Sequence, residues 1–240
     1  MSKNEIIYPP APFVVELGKR ESVMELNKYI EHTLLKQDAT KEDFEKLFEE
    51  AIDNKFFGVC VNPAYVKDAV EAVHKYGVKV VTVIGFPLGA NTTDVKVYET
   101  QKAIEDGADE VDMVINVTKL KDKDYDYVIR DIREVKKACP NNNLKVILET
   151  DLLTKDEIGT ACELCIEAGA DLVKTSTGFV KGGVGAKVED VKLMAETVKP
   201  KGLRVKASGG IRDKEKALAL IEAGADRLGT SSGVKIVKGE

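Results

Sequence analysis

Short runs of apolar residues alternate along this chain with longer segments in which apolar residues recur at the spacing of a helix. The runs are rich in valine and isoleucine and have few polar interruptions, as in parallel strands whose two faces are both covered. The first run is weaker than the others. The pattern predicts eight strands, at residues 29–33, 57–62, 79–85, 110–117, 144–150, 170–176, 203–208 and 226–230.

The segments between these strands predict amphipathic helices. One of them has an apolar stripe that includes Phe44, Leu47 and Phe48. Thr40, three residues before Asp43, is a typical signal for the start of that helix.

Eight strands that alternate strictly with about eight helices favour a closed (β/α)8 barrel, the TIM-barrel architecture, over an open sheet. No stretch with the composition of a linker interrupts the alternation. We therefore predict one α/β domain over residues 1–240. In it, residues 1–28 form an N-terminal extension that ends in a helix near 22–29, and residues 29–240 form the barrel.

Three segments repeat one joint between a helix and the strand that follows. They read AIEDGADEVDM, CIEAGADLVKT and LIEAGADRLGT, and each has a glycine where a helix would end. Their alignment places Asp112, Lys174 and Gly229 at the same position of their strands. Polar groups near the carboxyl ends of barrel strands are typical of an active site. A purely structural ion pair between Asp112 and Lys174 is the alternative.

The overall charge and hydropathy exclude several classes of function. The formal net charge of −5 predicts no general attraction to nucleic acid or to an anionic membrane. No apolar run approaches the ~20 residues that span a bilayer, and the first residues, MSKNEIIYPPAPF, lack the pattern of a secretory signal. We therefore predict a cytoplasmic protein without nucleic-acid or membrane partners.

Cysteine and histidine are sparse. The four cysteines are too few for a disulfide scaffold, and His32 and His74 are not spaced like the ligands of a histidine-rich metal site. Cys162 and Cys165 have the Cys-x-x-Cys spacing of redox proteins, but they also continue an apolar helical stripe. We predict that both are core residues, with redox chemistry as the alternative.

Two lysines stand at the ends of apolar strands. Lys174 lies in LVKTSTG and Lys206 in VKASGG, on consecutive strands, so both amines should reach one space. A neighbouring ammonium group and partial desolvation both favour the uncharged amine. An uncharged lysine can attack a carbonyl carbon and form a Schiff base. Asp112, in the same layer, can then transfer protons and hold the second lysine.

The loops after the last three strands have the composition of a phosphate site. In β/α barrels, the loops after strands 7 and 8 frequently bind phosphate together with the N-terminus of a short helix. The candidate residues are Thr177, Gly178, Gly209, Gly210, Ser231 and Ser232. Ordinary turns and caps are the alternative. The residues alone therefore predict a barrel that acts through lysine on a small phosphorylated carbonyl compound.

A further glycine-rich segment, KGGVGAK at residues 181–187, lacks the spacing of either common nucleotide-binding loop. We predict that it is a mobile loop resembling a lid.

Six segments, in order, closely resemble deoxyribose-phosphate aldolases over residues ~25–237. They are GVCVNP, VIGFPLGA, EVDMVINV, LVKTSTGF, VKASGGIR and GTSSG. The resemblance implies a class I aldolase that requires neither a metal nor another cofactor. It implies reversible cleavage of 2-deoxy-D-ribose 5-phosphate to acetaldehyde and D-glyceraldehyde 3-phosphate. Metabolic barrels often pair, so we also expect a homo-oligomer, a dimer or a tetramer.

The same resemblance implies roles for single residues. Lys174 matches the Schiff-base lysine, Lys206 the second lysine that perturbs it and relays protons, and Asp112 the acid/base that works with them through water. The positions predicted to contact the substrate or its phosphate are Thr33, Cys60, Thr177, Gly178, Gly209, Gly210, Gly229, Ser231 and Ser232.

Two positions depart from the family pattern. Glu31 stands where an aspartate is common, which affects the tuning of the site. Phe179 stands where some members have a lysine near the phosphate, so phosphate binding should depend more on backbone amides here. The alternatives are another sugar-phosphate aldolase or transaldolase with a Schiff-base lysine, and a barrel that binds sugar phosphates without catalysis.

Overall fold

The computed structural model describes residues 25–239, which fold into a closed barrel of eight parallel strands. The strands follow one another around the barrel in sequence order, and the last pairs with the first. They are β1 (Ile30–Leu34), β2 (Gly58–Val61), β3 (Lys79–Ile84), β4 (Glu110–Val114), β5 (Asn143–Ile147), β6 (Leu172–Lys174), β7 (Arg204–Ser208) and β8 (Arg227–Thr230). The predicted barrel and its strand count are confirmed.

Helices follow the strands on the outside of the barrel. In the described residues they are α1 (Lys41–Asp53), α2 (Val66–Val73), α3 (Thr93–Glu105), α4 (Val117–Lys121), α5 (Tyr125–Ala138), α6 (Lys155–Ala168), α7 (Val188–Val198), α8 (Lys214–Glu222) and α9 (Gly233–Lys238). The predicted start of α1 is confirmed, because Thr40 and Asp43 form a reciprocal capping box.

Some predicted boundaries were wrong. The fourth strand ends at Val114 rather than at residue 117, because Asn116 caps the N-terminus of α4 by accepting a hydrogen bond from Lys119 N. The N-terminal extension lies outside the described residues up to residue 24. Of the predicted helix near 22–29, the structure describes Leu26–Tyr29, which form a 3-10 helix.

The main core fills the space between the sheet and the surrounding helices. Cys162 and Cys165 are fully buried in it, as predicted. Burial raises the pKa of the Cys162 thiol to about 12 and that of Cys165 well above its ordinary value. Both residues are therefore apolar core residues rather than reactive thiols.

The repeated Gly-Ala-Asp joint fixes how far each strand reaches along the barrel. The carboxylates of Asp109, Asp171 and Asp226 accept hydrogen bonds from backbone N–H groups of the preceding strand, at 2.8–2.9 Å. The backbone N–H of each aspartate also donates to the carbonyl of the residue whose N–H its side chain accepts. These residues are Val80, Leu144 and Val205, respectively. This two-point attachment clamps β3 to β4, β5 to β6 and β7 to β8. It sets β4, β6 and β8 to one level. The third residue after each aspartate, which is Asp112, Lys174 or Gly229, therefore lies at the same height in the barrel.

Candidate active site

Six charged side chains converge inside the barrel, around the level that the repeated joints give Asp112 and Lys174. They come from five strands, and each residue is at most 6% exposed. We call them the ionic cluster: Glu31, Glu110, Asp112, Lys145, Lys174 and Lys206. With every group ionised, three carboxylates balance three ammonium groups, so the cluster can be buried without net charge.

Asp112 is the centre of the ionic cluster. Its Oδ2 accepts hydrogen bonds from Lys174 Nζ at 2.8 Å and from Lys206 Nζ at 2.7 Å. Its Oδ1 accepts one from Lys145 Nζ at 3.0 Å. Burial by itself raises the pKa of Asp112, but the three ammonium groups outweigh it and hold that pKa well below its usual range. Asp112 is therefore a carboxylate at neutral pH, in position to accept a proton.

The two predicted lysines do meet, because Lys174 and Lys206 are directly paired on β6 and β7. Lys206 also donates a hydrogen bond to the carboxylate of Glu31, one of the two positions predicted from the sequence to depart from the family pattern. Burial lowers the pKa of Lys206, but the carboxylates of Asp112 and Glu31 outweigh burial and raise it overall. Lys206 is therefore held as a cation.

Gly229 has a steric role beside Lys206. A Cβ built on Gly229 would lie 3.0 Å from Lys206 Cε and 3.7 Å from its Nζ. The absence of a side chain at this position of the repeat leaves the space that the Lys206 side chain occupies.

Lys145 and Glu110 were not among the residues predicted from the sequence. Lys145 is paired with Asp112 across β4 and β5, and its Nζ lies 2.5 Å from Glu110 and 3.5 Å from Glu31. The signal was present, because a lysine inside the apolar run LKVIL is the same anomaly that singled out Lys174.

A pocket of about 380 Å³ opens above the ionic cluster at the carboxyl ends of the strands. Of the six cluster residues, only Lys174 lines this pocket. The predicted substrate residues that line it are Thr33, Thr177, Gly178, Gly209, Gly210, Gly229, Ser231 and Ser232. Asp112 and Lys206 do not line the pocket, but Asp112 contacts Lys174, which does, and Lys206 lies next to Gly229 in its wall.

Cys60 does not line the pocket and is fully buried. It is paired with Thr33 on β1 and packs with Leu35, Val81 and Val83 in a small apolar cluster separate from the main core. Burial is the largest of the effects that raise the pKa of its thiol. Cys60 therefore lies next to the ionic cluster as an apolar neighbour.

The mouth of the pocket holds two cations that sequence reasoning missed. Lys36 and Arg212 are both exposed and line the pocket. Arg212 was visible in the motif SGGIRD, next to the predicted glycines. Phe179 also lines the pocket and packs edge-on against Phe86, with ring centroids 5.1 Å apart.

Thr177 is committed to a protein partner. Its backbone N donates to Glu149 Oε1 at 3.0 Å, and its hydroxyl donates a short hydrogen bond to Glu149 Oε2. Thr177 therefore holds the loop after β6 in place and leaves Gly178 to face the pocket.

Replacing Lys145 with methionine should lower the free energy of unfolding at pH 7 by about 3–5 kcal/mol, because it leaves the buried carboxylates in excess. Burial lowers the pKa of Lys145, but Asp112 and Glu31 raise it overall. The stabilisation that Lys145 supplies is therefore complete below the unfolded-state lysine pKa of ~10.4 and is lost as the pH rises toward the folded-state pKa.

Chemical denaturation at pH 7, 9 and 11 measures this. The difference in the free energy of unfolding between wild type and Lys145→Met should be constant from pH 7 to 9 and smaller at pH 11. Lys201→Met, at an exposed position, is the matched control and should change little. A difference that grows with pH would contradict the assignment of charges.

Two further kinds of feature were not found among the described residues. Between residues 25 and 239, no three His, Cys, Asp or Glu side chains are arranged to hold a metal ion. No helix in that range combines the length and the apolar character needed to cross a membrane.

Known proteins resemble this chain over nearly all of the described residues. The model of the DeoC/LacD family aldolases matches residues 26–239. A deoxyribose-phosphate aldolase from Finegoldia magna is 58% identical over 216 residues, covering 90% of this chain and 100% of the relative. One from Thermococcus gammatolerans is 60% identical over 220 residues, covering 90% and 96%.

Solved structures agree with these relatives. The tetrameric deoxyribose phosphate aldolase from Aeropyrum pernix matches with a TM-score of 0.82 at 39% identity, covering 89% of each chain. The resemblance inferred from the six motifs is thereby confirmed. With a matching family model over almost the entire barrel, the chain belongs to the DeoC/LacD family of aldolases.

Proposed function

We propose that this protein reversibly cleaves 2-deoxy-D-ribose 5-phosphate to acetaldehyde and D-glyceraldehyde 3-phosphate through a Schiff base on Lys174. One observation carries the assignment of the nucleophile. Lys174 is the only member of the ionic cluster that lines the pocket, whereas the amines of Lys145 and Lys206 are fully buried beneath it. A carbonyl carbon in the pocket therefore meets Lys174 first.

The reaction begins on the open-chain sugar. The uncharged amine of Lys174 attacks C1, and loss of water from the carbinolamine gives a cationic iminium. Removal of the proton from the C3 hydroxyl forms the C3 carbonyl and breaks the C2–C3 bond. The electrons of that bond move to C2 and the iminium, which becomes a neutral enamine. Protonation at C2 and hydrolysis then release acetaldehyde and restore Lys174.

The charge of the ionic cluster favours the iminium. When Lys174 is uncharged, the remaining two ammonium groups and three carboxylates leave a net charge of −1, and iminium formation restores neutrality. Asp112 Oδ2 lies 2.8 Å from Lys174 Nζ, so the carboxylate is already beside the nitrogen that becomes positive. A charged group that is already in position to stabilise the opposite charge that develops in the transition state typically contributes strongly to catalysis.

Asp112 and Lys206 divide the proton transfers by their charge. Asp112 is ionised, because three ammonium groups lower its pKa and outweigh the opposite effect of burial, and its carboxylate is the base. Lys206, whose pKa is raised by Asp112 and Glu31 against the effect of burial, stays protonated and is the acid. Lys174 and Lys206 donate to the same oxygen of Asp112, so a proton taken by Asp112 can be replaced by one from Lys206, directly or through water.

The phosphate of the substrate fits the side of the pocket opposite the ionic cluster. Gly209 and Gly210 both have positive φ, at +84° and +69°, which lets their backbones turn tightly at the pocket wall. Ser231 and Ser232 contribute hydroxyl groups beside them. Arg212 and Lys36 supply positive charge at the mouth, which compensates for Phe179 at the position where some relatives have a lysine. Binding energy from this remote phosphate positions the carbonyl for attack.

Incubation of the protein with 2-deoxy-D-ribose 5-phosphate, followed by product identification, tests this function. We expect equimolar acetaldehyde and glyceraldehyde 3-phosphate, formed at the same rate after treatment with a strong chelator. Production of dihydroxyacetone phosphate from a ketose phosphate, without acetaldehyde from deoxyribose 5-phosphate, would assign the protein to another aldolase activity. Binding of the sugar phosphate without any product would show a barrel without catalysis.

A homo-oligomer, as a dimer or tetramer, and a cytoplasmic location complete the proposal. A tetrameric relative supports the first, and the second carries over the prediction from the apolar runs and the first residues of the sequence.

A further inference from the structure

A glycine-rich loop lies behind the glycines of the proposed phosphate side. We call residues 181–187 the backing loop. A Cβ built on Gly185 would lie 2.3 Å from the carbonyl carbon of Gly209. One built on Gly210 would lie 2.4 Å from the carbonyl oxygen of Val184. The two loops therefore touch backbone to backbone, with no room for a side chain between them.

A hydrogen bond fixes this contact. Ala186 N donates to Gly209 O at 3.0 Å, so the backing loop sets the direction in which the Gly209 peptide faces. Glycines have more backbone freedom than any other residue, and a pair of them needs an external restraint to hold one conformation. The backing loop is itself rich in glycine, with Gly182 and Gly185 at positive φ, so it needs a restraint as well.

Asp151 supplies that restraint. Its Oδ2 accepts a hydrogen bond from Gly185 N at 2.7 Å, and its Oδ1 lies 3.4 Å from Lys187 Nζ. The Asp151 side chain is 8% exposed. Among the described residues, it is the only side chain that hydrogen-bonds to the backbone of the backing loop. Asp151 therefore holds the middle of the backing loop at Gly185, the residue whose backbone contacts Gly209.

Asp151 lies on the far side of the glycines from the proposed substrate. It lines a neighbouring cavity of about 430 Å³ and not the pocket that contains Lys174. The two cavities share Gly178, Gly209, Gly210 and Arg212 as a common wall. The Asp151 carboxylate does not line the pocket proposed for the substrate, and it contacts the Gly185 N–H and the Lys187 ammonium instead.

We propose that Asp151 is a positioning residue for the substrate phosphate, which it affects through Gly185 and the Gly209–Gly210 backbone. This inference rests on the proposed function, because it takes that side of the pocket as the phosphate side. Asp151 should strengthen the binding of phosphorylated ligands and leave the chemistry at Lys174 unchanged. The ionic cluster and the phosphate side are thus supported by separate sets of contacts.

Kinetics of Asp151→Ala with two substrates test this. For 2-deoxy-D-ribose 5-phosphate, we expect KM to rise about tenfold and kcat to stay within about twofold, as expected for lost ground-state binding. For 2-deoxy-D-ribose, which lacks the phosphate, kcat/KM should be unchanged. Asp151→Asn keeps an oxygen acceptor without the charge and should be intermediate, which also guards against a folding defect in the alanine variant. Asp156→Asn, an exposed neighbour, should match the wild type.

Titration calorimetry with inorganic phosphate separates this inference from the proposed function, because it requires no catalysis. We expect weaker phosphate binding by Asp151→Ala than by Asp156→Asn. Equal phosphate affinity in the two variants would overturn the role of Asp151. So would an equal loss of kcat/KM for both sugars in Asp151→Ala. Failure of the wild type to cleave deoxyribose 5-phosphate, with phosphate affinity still dependent on Asp151, would overturn the proposed function alone.

Discussion

Replacement of Lys174 with methionine is expected to lower kcat for cleavage of 2-deoxy-D-ribose 5-phosphate by at least about 10⁴-fold. Methionine keeps the length and apolar stem of lysine but has no nucleophile, and loss of the nucleophile in a covalent mechanism removes the pathway itself. Lys206 cannot replace it, because its amine is fully buried and is held by Asp112 and Glu31. Steady-state kinetics with a coupled assay for glyceraldehyde 3-phosphate measures the effect.

The matched control for this change is Lys201→Met, which removes an exposed lysine from the turn between α7 and β7. It should retain nearly full activity. If Lys174→Met kept kcat within tenfold of the wild type while remaining folded, another group would be the nucleophile.

The second large effect is expected for Asp112→Asn. The amide has the same shape as the carboxylate but can neither accept a proton at neutral pH nor balance the ammonium groups of Lys145, Lys174 and Lys206. Loss of general acid–base catalysis typically costs 10²–10⁴-fold, and we expect a loss of that order in kcat. Leaving a buried charge without its partner should also reduce the free energy of unfolding by about 3–5 kcal/mol.

The pH dependence of that stability difference has a fixed sign. The pKa of Asp112 is held well below its usual range by the three ammonium groups, against the opposing effect of burial. Its stabilisation is therefore complete above the unfolded-state aspartate pKa of ~3.9 and is lost as the pH falls toward the folded-state pKa. Denaturation at pH 7, 5 and 3 should show a constant gap between wild type and Asp112→Asn down to about pH 4, and a smaller gap below it.

Asp156→Asn removes an exposed carboxylate and is the control for both measurements. A kcat for Asp112→Asn within threefold of the wild type would contradict the role of Asp112 as the proton acceptor.

The fold could be predicted from the sequence because the apolar runs, the helical stripes and the repeated joint all indicate the same architecture. The joint also predicted the level of Asp112 and Lys174, and the reason is visible in the aspartate that clamps each of these strands to the one before it. Strand ends were harder to predict, because local capping by residues such as Asn116 decides them.

The site could be predicted only in part. Lys174, Lys206 and Asp112 were singled out because lysines and a carboxylate in apolar strands are unusual. Lys145 has the same signal, but its pairing with Asp112 depends on the register of β4 against β5, which no local pattern gives. A purely structural ion pair between Asp112 and Lys174 is the alternative that the sequence leaves open, and these two side chains do form a hydrogen-bonded pair.

The proposed phosphate side was harder to predict for a different reason. Its glycines could be recognised from sequence, but the contact between Gly185 and Gly209 joins two loops that are distant along the chain. The predicted mobility of residues 181–187 stays a prediction, and the contacts with Asp151 and Gly209 give it a definite resting position.

Trapping of the covalent intermediate tests the central claim most directly. The wild-type protein is incubated with acetaldehyde, reduced with sodium borohydride, digested and analysed by peptide mass spectrometry. The mechanism predicts a two-carbon ethyl adduct on Lys174, which should be absent from Lys174→Met and retained in Lys201→Met. An adduct confined to Lys206, or no adduct in a protein that still cleaves deoxyribose 5-phosphate, would contradict it.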